Sequence, residues 1–154
     1  MLKNIALIIL VAGAATAMVW AIIKQPSATT VSPATENYTI SKTGIHYHPK
    51  LDIYIKGQLQ TIPTNIGIGA VHLPIHTHAA DHIIHLEFSR LVTLDDTRLQ
   101  EFFKIWNKKF DANCIFDNCN GPSGTVKMFV NGQPNSEFEK YPMKNDDRIE
   151  IRYE

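Results

Sequence analysis

Lys50–Pro63 reads KLDIYIKGQLQTIP, and the fold turns on how this stretch is parsed. Leu51, Ile53 and Ile55 alternate with Asp52, Tyr54 and Lys56. Side chains on a strand point to opposite faces with period two, so the alternation predicts a strand with one buried face. Lys56-Gly57-Gln58 then predicts a tight turn. Leu59–Pro63 returns as the second strand of a hairpin, with Pro63 suited to a strand end or edge.

Downstream, LVTLDDTRLQEFFKIWNKKF (91–110) carries a helical period: Leu99, Phe102, Phe103, Trp106 and Phe110 form one apolar face. Thr93 is placed to cap this helix, with Asp95 and Asp96 in its first turn, where carboxylates complement unpaired N–H groups. The aromatic residues are read as core. Val126, Met128 and Val130 alternate, Asn131-Gly132 is a hairpin signal, and Asn145-Asp146-Asp147 turns the chain into a last alternating strand with Ile149, Ile151 and Tyr153. Hairpin, helix and strands in this order predict an α+β domain, one mixed sheet crossed by one amphipathic helix. The order, together with the ending VKMFVNG…YPMKNDDRIEIRYE, resembles the β-grasp (ubiquitin-like) fold from about His48 to Glu154, interrupted by an insertion over residues 66–92. That resemblance implies a fold and no single activity, because the fold hosts carriers, ligand binders and adaptors. The stretch HPKLDIYIKG…IPTNIGI…IHTH…IIHLE is also similar to uncharacterised envelope-anchored proteins of archaea and bacteria, which again implies no activity.

Upstream of the domain, residues 1–24 read MLKNIALIILVAGAATAMVWAIIK. The uncharged run from Ile5 to Ile23 nearly suffices to cross a hydrocarbon core of ~30 Å as a helix. A cleaved signal peptide has a shorter apolar core, and here the run continues past the small residues Ala15-Thr16-Ala17, so the segment is read as a single-pass anchor in preference to a signal peptide. Trp20 fits an interfacial position, and Lys3 with the terminal amine slightly outweighs Lys24, which places the C-terminal domain outside the cytoplasm at the cell membrane. Asn37-Tyr38-Thr39 matches a glycosylation acceptor pattern. Gln25–Thr43 follows as a linker: ten of its 19 residues are Ser, Thr or Pro, too polar to offset the entropy of ordering. The folded domain is expected over 44–154.

Fifteen basic and fifteen acidic residues leave no net charge across the 154 residues. Nucleic-acid binding, which leaves a basic footprint, is not expected. Cys114 and Cys119 bracket IFDN; the spacing is not that of a redox Cys-x-x-Cys pair, and without a second pair no four-thiolate zinc site can form within one chain. A disulfide closing the loop after the helix is the preferred reading.

The insertion and its flank carry all seven histidines, at 46, 48, 72, 76, 78, 82 and 85. In His-x-His on a strand both imidazoles point the same way, so one ion about 2 Å from each nitrogen can be shared. His46-Tyr47-His48 and His76-Thr77-His78 are two such pairs. His85-Leu86-Glu87 adds an imidazole and a carboxylate on one strand face. If the first strand runs back through Pro49, His46 and His48 share the face of Asp52 and Tyr54, and the insertion folds over that face to bring the other ligands to them. The expected set is His46, His48, His76, His78, His85 and Glu87, with His72 and His82 assigned to the surface. An imidazole-rich set suits copper, zinc or nickel, with copper or zinc preferred here, and disfavours calcium and magnesium, which take oxygen ligands. Met128 and Met143 are possible soft ligands but read better as core or surface residues.

Three functions remain. The first is a membrane-anchored extracytoplasmic metal-binding module without catalysis. The second is an accessory subunit of a membrane enzyme complex, such as an oxidase or monooxygenase, docking through the anchor helix and the head onto other membrane subunits. The third is a metal-dependent enzyme; Glu87 or Asp81 would be its base, but no motif names a reaction, and His-Glu-x-x-His is missing.

Overall fold

A computed structural model describes residues 38–154. The anchor (1–24), the glycosylation pattern at Asn37 and most of the linker lie outside these residues. Among the described residues no helix is long and apolar enough to cross a membrane.

The element order is β1 (Thr39–Ser41), β2 (Ile45–Tyr47), β3 (Lys50–Ile55), β4 (Gln58–Leu59), β5 (Ile75–His76), β6 (His85–Phe88) and β7 (Val92–Thr93). A 3-10 turn (Asp95–Thr97) and helix α1 (Leu99–Trp106) follow. The chain closes with β8 (Cys114–Ile115), β9 (Asn118–Cys119), β10 (Val126–Val130), β11 (Gln133–Pro134), a second 3-10 turn (Phe138–Lys140) and β12 (Arg148–Tyr153). The strands form a five-stranded sheet in the order β11-β10-β12-β3-β4, a three-stranded sheet β2-β6-β5, and two-stranded pairs β1-β7 and β8-β9.

This corrects the expected α+β arrangement of one β-grasp-like mixed sheet crossed by a long amphipathic helix. Strand makes up 40% of the described structure and helix 12%, so strands distributed over several sheets dominate. The physical reason lies in 91–110. Thr93 does not cap a helix; it pairs in β7 with Thr39, and Asp96 turns back to it instead, accepting bonds from its backbone N–H at 2.7 Å and its hydroxyl at 2.8 Å. Asn107, at φ 55°, ends α1 in the left-handed region, with its N–H donating to the Lys104 carbonyl and the Lys108 N–H to that of Phe103 at 3.0 Å. That pattern stops a helix. Only eight residues of the segment remain helical. Thr39–Ser41, read as the end of the linker, is also strand.

The alternation in Lys50–Ile55 does form a strand. β3 pairs in parallel with β12, Leu51 opposite Ile149 and Ile53 opposite Ile151. These four side chains are buried with Met128, Leu99, Phe102 and Phe103 in one apolar cluster. Met128 and Met143 both lie in that cluster, which removes them from the ligand question. Asp147 sets the turn into β12: its carboxylate accepts from the Tyr141 hydroxyl at 2.8 Å and the Lys144 N–H at 2.9 Å.

Cys114 and Cys119 are joined by a disulfide across the β8–β9 pair. The loop it closes is packed: Ile115 is fully buried, and the Phe116 ring meets Trp106 edge-on at 5.3 Å. Loop entropy for so short a ring gives about 2 kcal/mol. The Cys114→Ser/Cys119→Ser variant is therefore expected to unfold in urea with about 2 kcal/mol less stability and an unchanged slope.

Arg90 donates to Asp96 at 2.7 Å, and this bond, with the two from Thr93, holds the Asp96 carboxyl at about 2, below its ordinary 3.8. A carboxylate with a depressed folded value stabilises the fold above 3.8 and loses that contribution as pH falls through about 2. The contribution is about 2 kcal/mol. Asp96→Asn is expected to lose about that much at neutral pH, and urea titrations of variant and parent should converge as the pH approaches 2.

Candidate metal centre

The three-stranded sheet explains why histidines collect on one surface. β6 is its middle strand. Leu86 is fully buried and Phe88 nearly so, and period two therefore turns His85 and Glu87 outward. β2 pairs antiparallel on one side with His46 directly opposite Glu87. β5 pairs antiparallel on the other side with His76 directly opposite His85. Directly opposed side chains start about 5 Å apart, within reach of a common ligand.

The imidazoles form a string. Ring centroids lie 4.6 Å apart for His46–His48, 4.7 Å for His48–His85, 4.6 Å for His78–His85 and 5.3 Å for His76–His85. His76 and His78 are 4.6 Å apart, with Nε2 atoms separated by 3.0 Å. One Glu87 oxygen lies 3.2 Å from His46 Nε2, 3.9 Å from His76 Nε2 and 3.7 Å from His85 Nδ1. Neighbouring ligands on a tetrahedral ion at 2.0–2.1 Å stand roughly 3.3 Å apart, so these separations need only small rotamer shifts to close on an ion. Two groups of four, His46/His48/His85/Glu87 and His76/His78/His85/Glu87, each bring one ligand atom per residue within 4.8 Å of all the others. All six residues expected from sequence are therefore in one place.

The assembly differs from the expected one. β2 and β3 belong to different sheets, so the strand does not run straight through Pro49. The insertion does not lie over the histidine face as a roof; it joins β2 edge to edge. His72, assigned to the surface from sequence, has its ring 4.2 Å from His76 and 5.8 Å from His78. It sits outside any strand, where no alternation reveals its direction. His82 stands apart, with Nδ1 2.8 Å from Asp52 Oδ1 at ion-pair distance, although out of line for a hydrogen bond. Asp81 accepts from the Ile83 N–H at 3.1 Å and so closes its own turn.

Thr77, between the two histidines of IHTH, was not expected to matter. It points inward and is buried. Its hydroxyl donates to the Pro63 carbonyl at 2.8 Å and accepts from the Ile66 N–H at 3.1 Å. The polar residue at the inward-facing position just after β5 was the available signal, since a buried hydroxyl needs partners. The turn it clasps lies close against β5: a Cβ on Gly67, at φ 74°, would stand 2.4 Å from the Ile75 carbonyl oxygen. Glycine is required there.

Electrostatics prepares the buried end. His76 is 1% exposed, and its Nδ1 lies 3.0 Å from the Leu73 carbonyl oxygen. A carbonyl only accepts, so Nδ1 carries the proton and the Nε2 lone pair faces the cluster. Burial pushes the His76 imidazole below its ordinary 6.5, partly offset by the Leu73 carbonyl, while His72 adds to the lowering. Burial also lowers His85, and His48 and His78 add to it. The buried Nδ1 of His85 has no hydrogen-bond partner among the described residues.

Comparison with protein-family models, with curated proteins and with solved structures finds no match. The reading of the site rests on its geometry.

The lowered values have a sign. Below 6.5 the unfolded chain takes up protons at these two histidines that the folded chain resists, so metal-free protein loses stability as pH falls from 6.5, and nothing from these groups above it. Nitrogen-15 NMR titration of metal-free protein is expected to show His76 as the Nδ1–H tautomer, with both midpoints under 6.5.

Proposed function

We propose that this chain is a membrane-anchored, extracytoplasmic, non-catalytic module that binds a copper or zinc ion on the outer face of β2-β6-β5. The observation that carries the reading is the convergence of His76, His78, His85 and Glu87, one ligand atom each, within 4.8 Å. Imidazole with a single carboxylate is the donor set of late first-row ions rather than of calcium or magnesium. Two supports are independent of the metal itself. His76 Nε2 is presented as a lone pair by a fixed hydrogen bond on the far side of its ring, the arrangement that orients ligating histidines. The Cys114–Cys119 disulfide suits an oxidising compartment, consistent with the apolar N-terminal segment acting as an anchor.

A second reading, an accessory subunit docking beside other membrane proteins, draws on the insertion's other surface. Leu73 is exposed there, on a groove of about 450 Å³ lined by Leu73, Pro74, Ile75, Phe88 and Ile105 together with the charged Arg90, Asp95, Asp96 and Glu101. The two readings are compatible, because the groove and the histidine face are different surfaces.

Full-length chain, purified without an affinity His-tag and titrated with Cu(II) and with Zn(II), is expected to bind one of them tightly. Mass-spectrometric metal content should reach about one ion per chain, and His76→Ala/His78→Ala should weaken binding by about a hundredfold or more with the far-ultraviolet spectrum unchanged. A wild-type chain that retains neither ion after desalting would end this reading and leave the docking role.

A further inference from the structure

The two ligand groups share His85 and Glu87 and differ only in which flanking segment completes them: β2 and the residue after it supply His46 and His48, β5 and the loop after it supply His76 and His78. Resting on the metal-binding reading above, we propose that the cluster is a two-station site for one ion, received at His46 and His48 and passed to His76 and His78 while His85 and Glu87 stay bonded to it.

Four observations carry this. First, the flanking strands are separated by β6, so their backbones stand about 10 Å apart, and the candidate residues fall into two overlapping groups of four, each within 4.8 Å, instead of one group of six. Second, the middle strand bridges that gap. The Glu87 oxygen is 3.2 Å from His46 Nε2 and 3.9 Å from His76 Nε2, and the His85 ring contacts those of His48, His76 and His78.

Third, the stations differ in access. The His46 side chain is 63% exposed and that of His76 is 1% exposed. His78, like His46, is exposed and His48 is half-buried, so the two groups differ chiefly at the buried His76, where an ion is better desolvated. There the His72 ring, 4.2 Å from His76, offers a further imidazole. Fourth, charge selects one ion over two. Glu87 is the only carboxylate in either group. Two divalent ions around it would leave a net charge of three, repelling across a few ångströms.

The transfer is a ligand exchange. Bonds to His46 and His48 break as bonds to the ring nitrogens of His76 and His78 form. No electron moves, and the charge of the shell is unchanged because neutral imidazole replaces neutral imidazole. His76 already carries its proton on the nitrogen facing away.

The test is stopped-flow mixing of the full-length chain with Cu(II), read by quenching of intrinsic fluorescence, together with equilibrium stoichiometry. One Cu(II) per chain is expected. His46→Ala/His48→Ala should slow binding and release alike by about tenfold or more and leave Kd within about threefold, because an entry station affects both directions equally. His76→Ala/His78→Ala should raise Kd by about a hundredfold and keep fast association. Because His76 is buried, His78→Ala alone is measured beside it, with Kd expected to rise by about tenfold. Two Cu(II) per chain, an equal rise in Kd from both pairs, or unaltered rates in the His46/His48 variant would overturn the two-station reading and leave metal binding intact. Retention of neither Cu(II) nor Zn(II) by the wild type would overturn both.

Discussion

The parallel ladder between β3 and β12 is the constraint on which the rest hangs. It runs for six residue pairs, from Lys50–Arg148 to Ile55–Tyr153, and joins the start of the folded domain to its end. Such pairing is slow to find, because a long loop must close before any contact rewards it. Once made, it holds the histidine face as well as the core. The Leu51 N–H donates to the His82 carbonyl at 2.9 Å and the Ile84 N–H to that of Pro49 at 2.9 Å, which ties the entry to β6 against β3. The His48 N–H donates to Asn145 Oδ1 at 2.9 Å, so the turn before β12 positions a candidate ligand almost a hundred residues upstream. The histidine sheet is in this sense an appendix to the ladder.

What was legible in the sequence followed from period two. β3, β10 and β12 are long enough to show it, and their inward residues Leu51, Ile53, Val126, Met128, Ile149 and Ile151 are all buried. β1, β5 and β7 have two or three residues each; a strand that short has no period to detect, and only its partner's register defines it. The extent of the helix failed for a related reason. Its apolar residues recur at helical spacing from Leu99 to Phe110, yet Phe110 packs on Phe103 at 4.7 Å from beyond the left-handed turn at Asn107. Spacing records which residues reach the core and is silent on whether the backbone between them is continuous.

The convergence of the six candidate residues was legible because His-x-His and His-x-Glu carry their own direction. Its assembly was not. Pro49 interrupts the first strand, and the chain there steps from one sheet to another, a change that no pattern on either side announces. His72 was misplaced because a loop residue has no face. Thr77 was overlooked because attention went to the residues on either side of it, while its hydroxyl bonds to Pro63 and Ile66 orient both.

Leu86 lies between His85 and Glu87 and is fully buried. With Ile84 and Phe88 buried on either side, the two residues common to both groups are fastened to the core through β6. An ion held by them and by β2 or β5 is a cross-link among segments far apart in sequence, comparable to a disulfide but reversible at constant redox state. Ligand binding confined to the folded state raises its stability with the logarithm of free ligand. With the proposed ion bound, the stability of this domain would follow the metal supply around it.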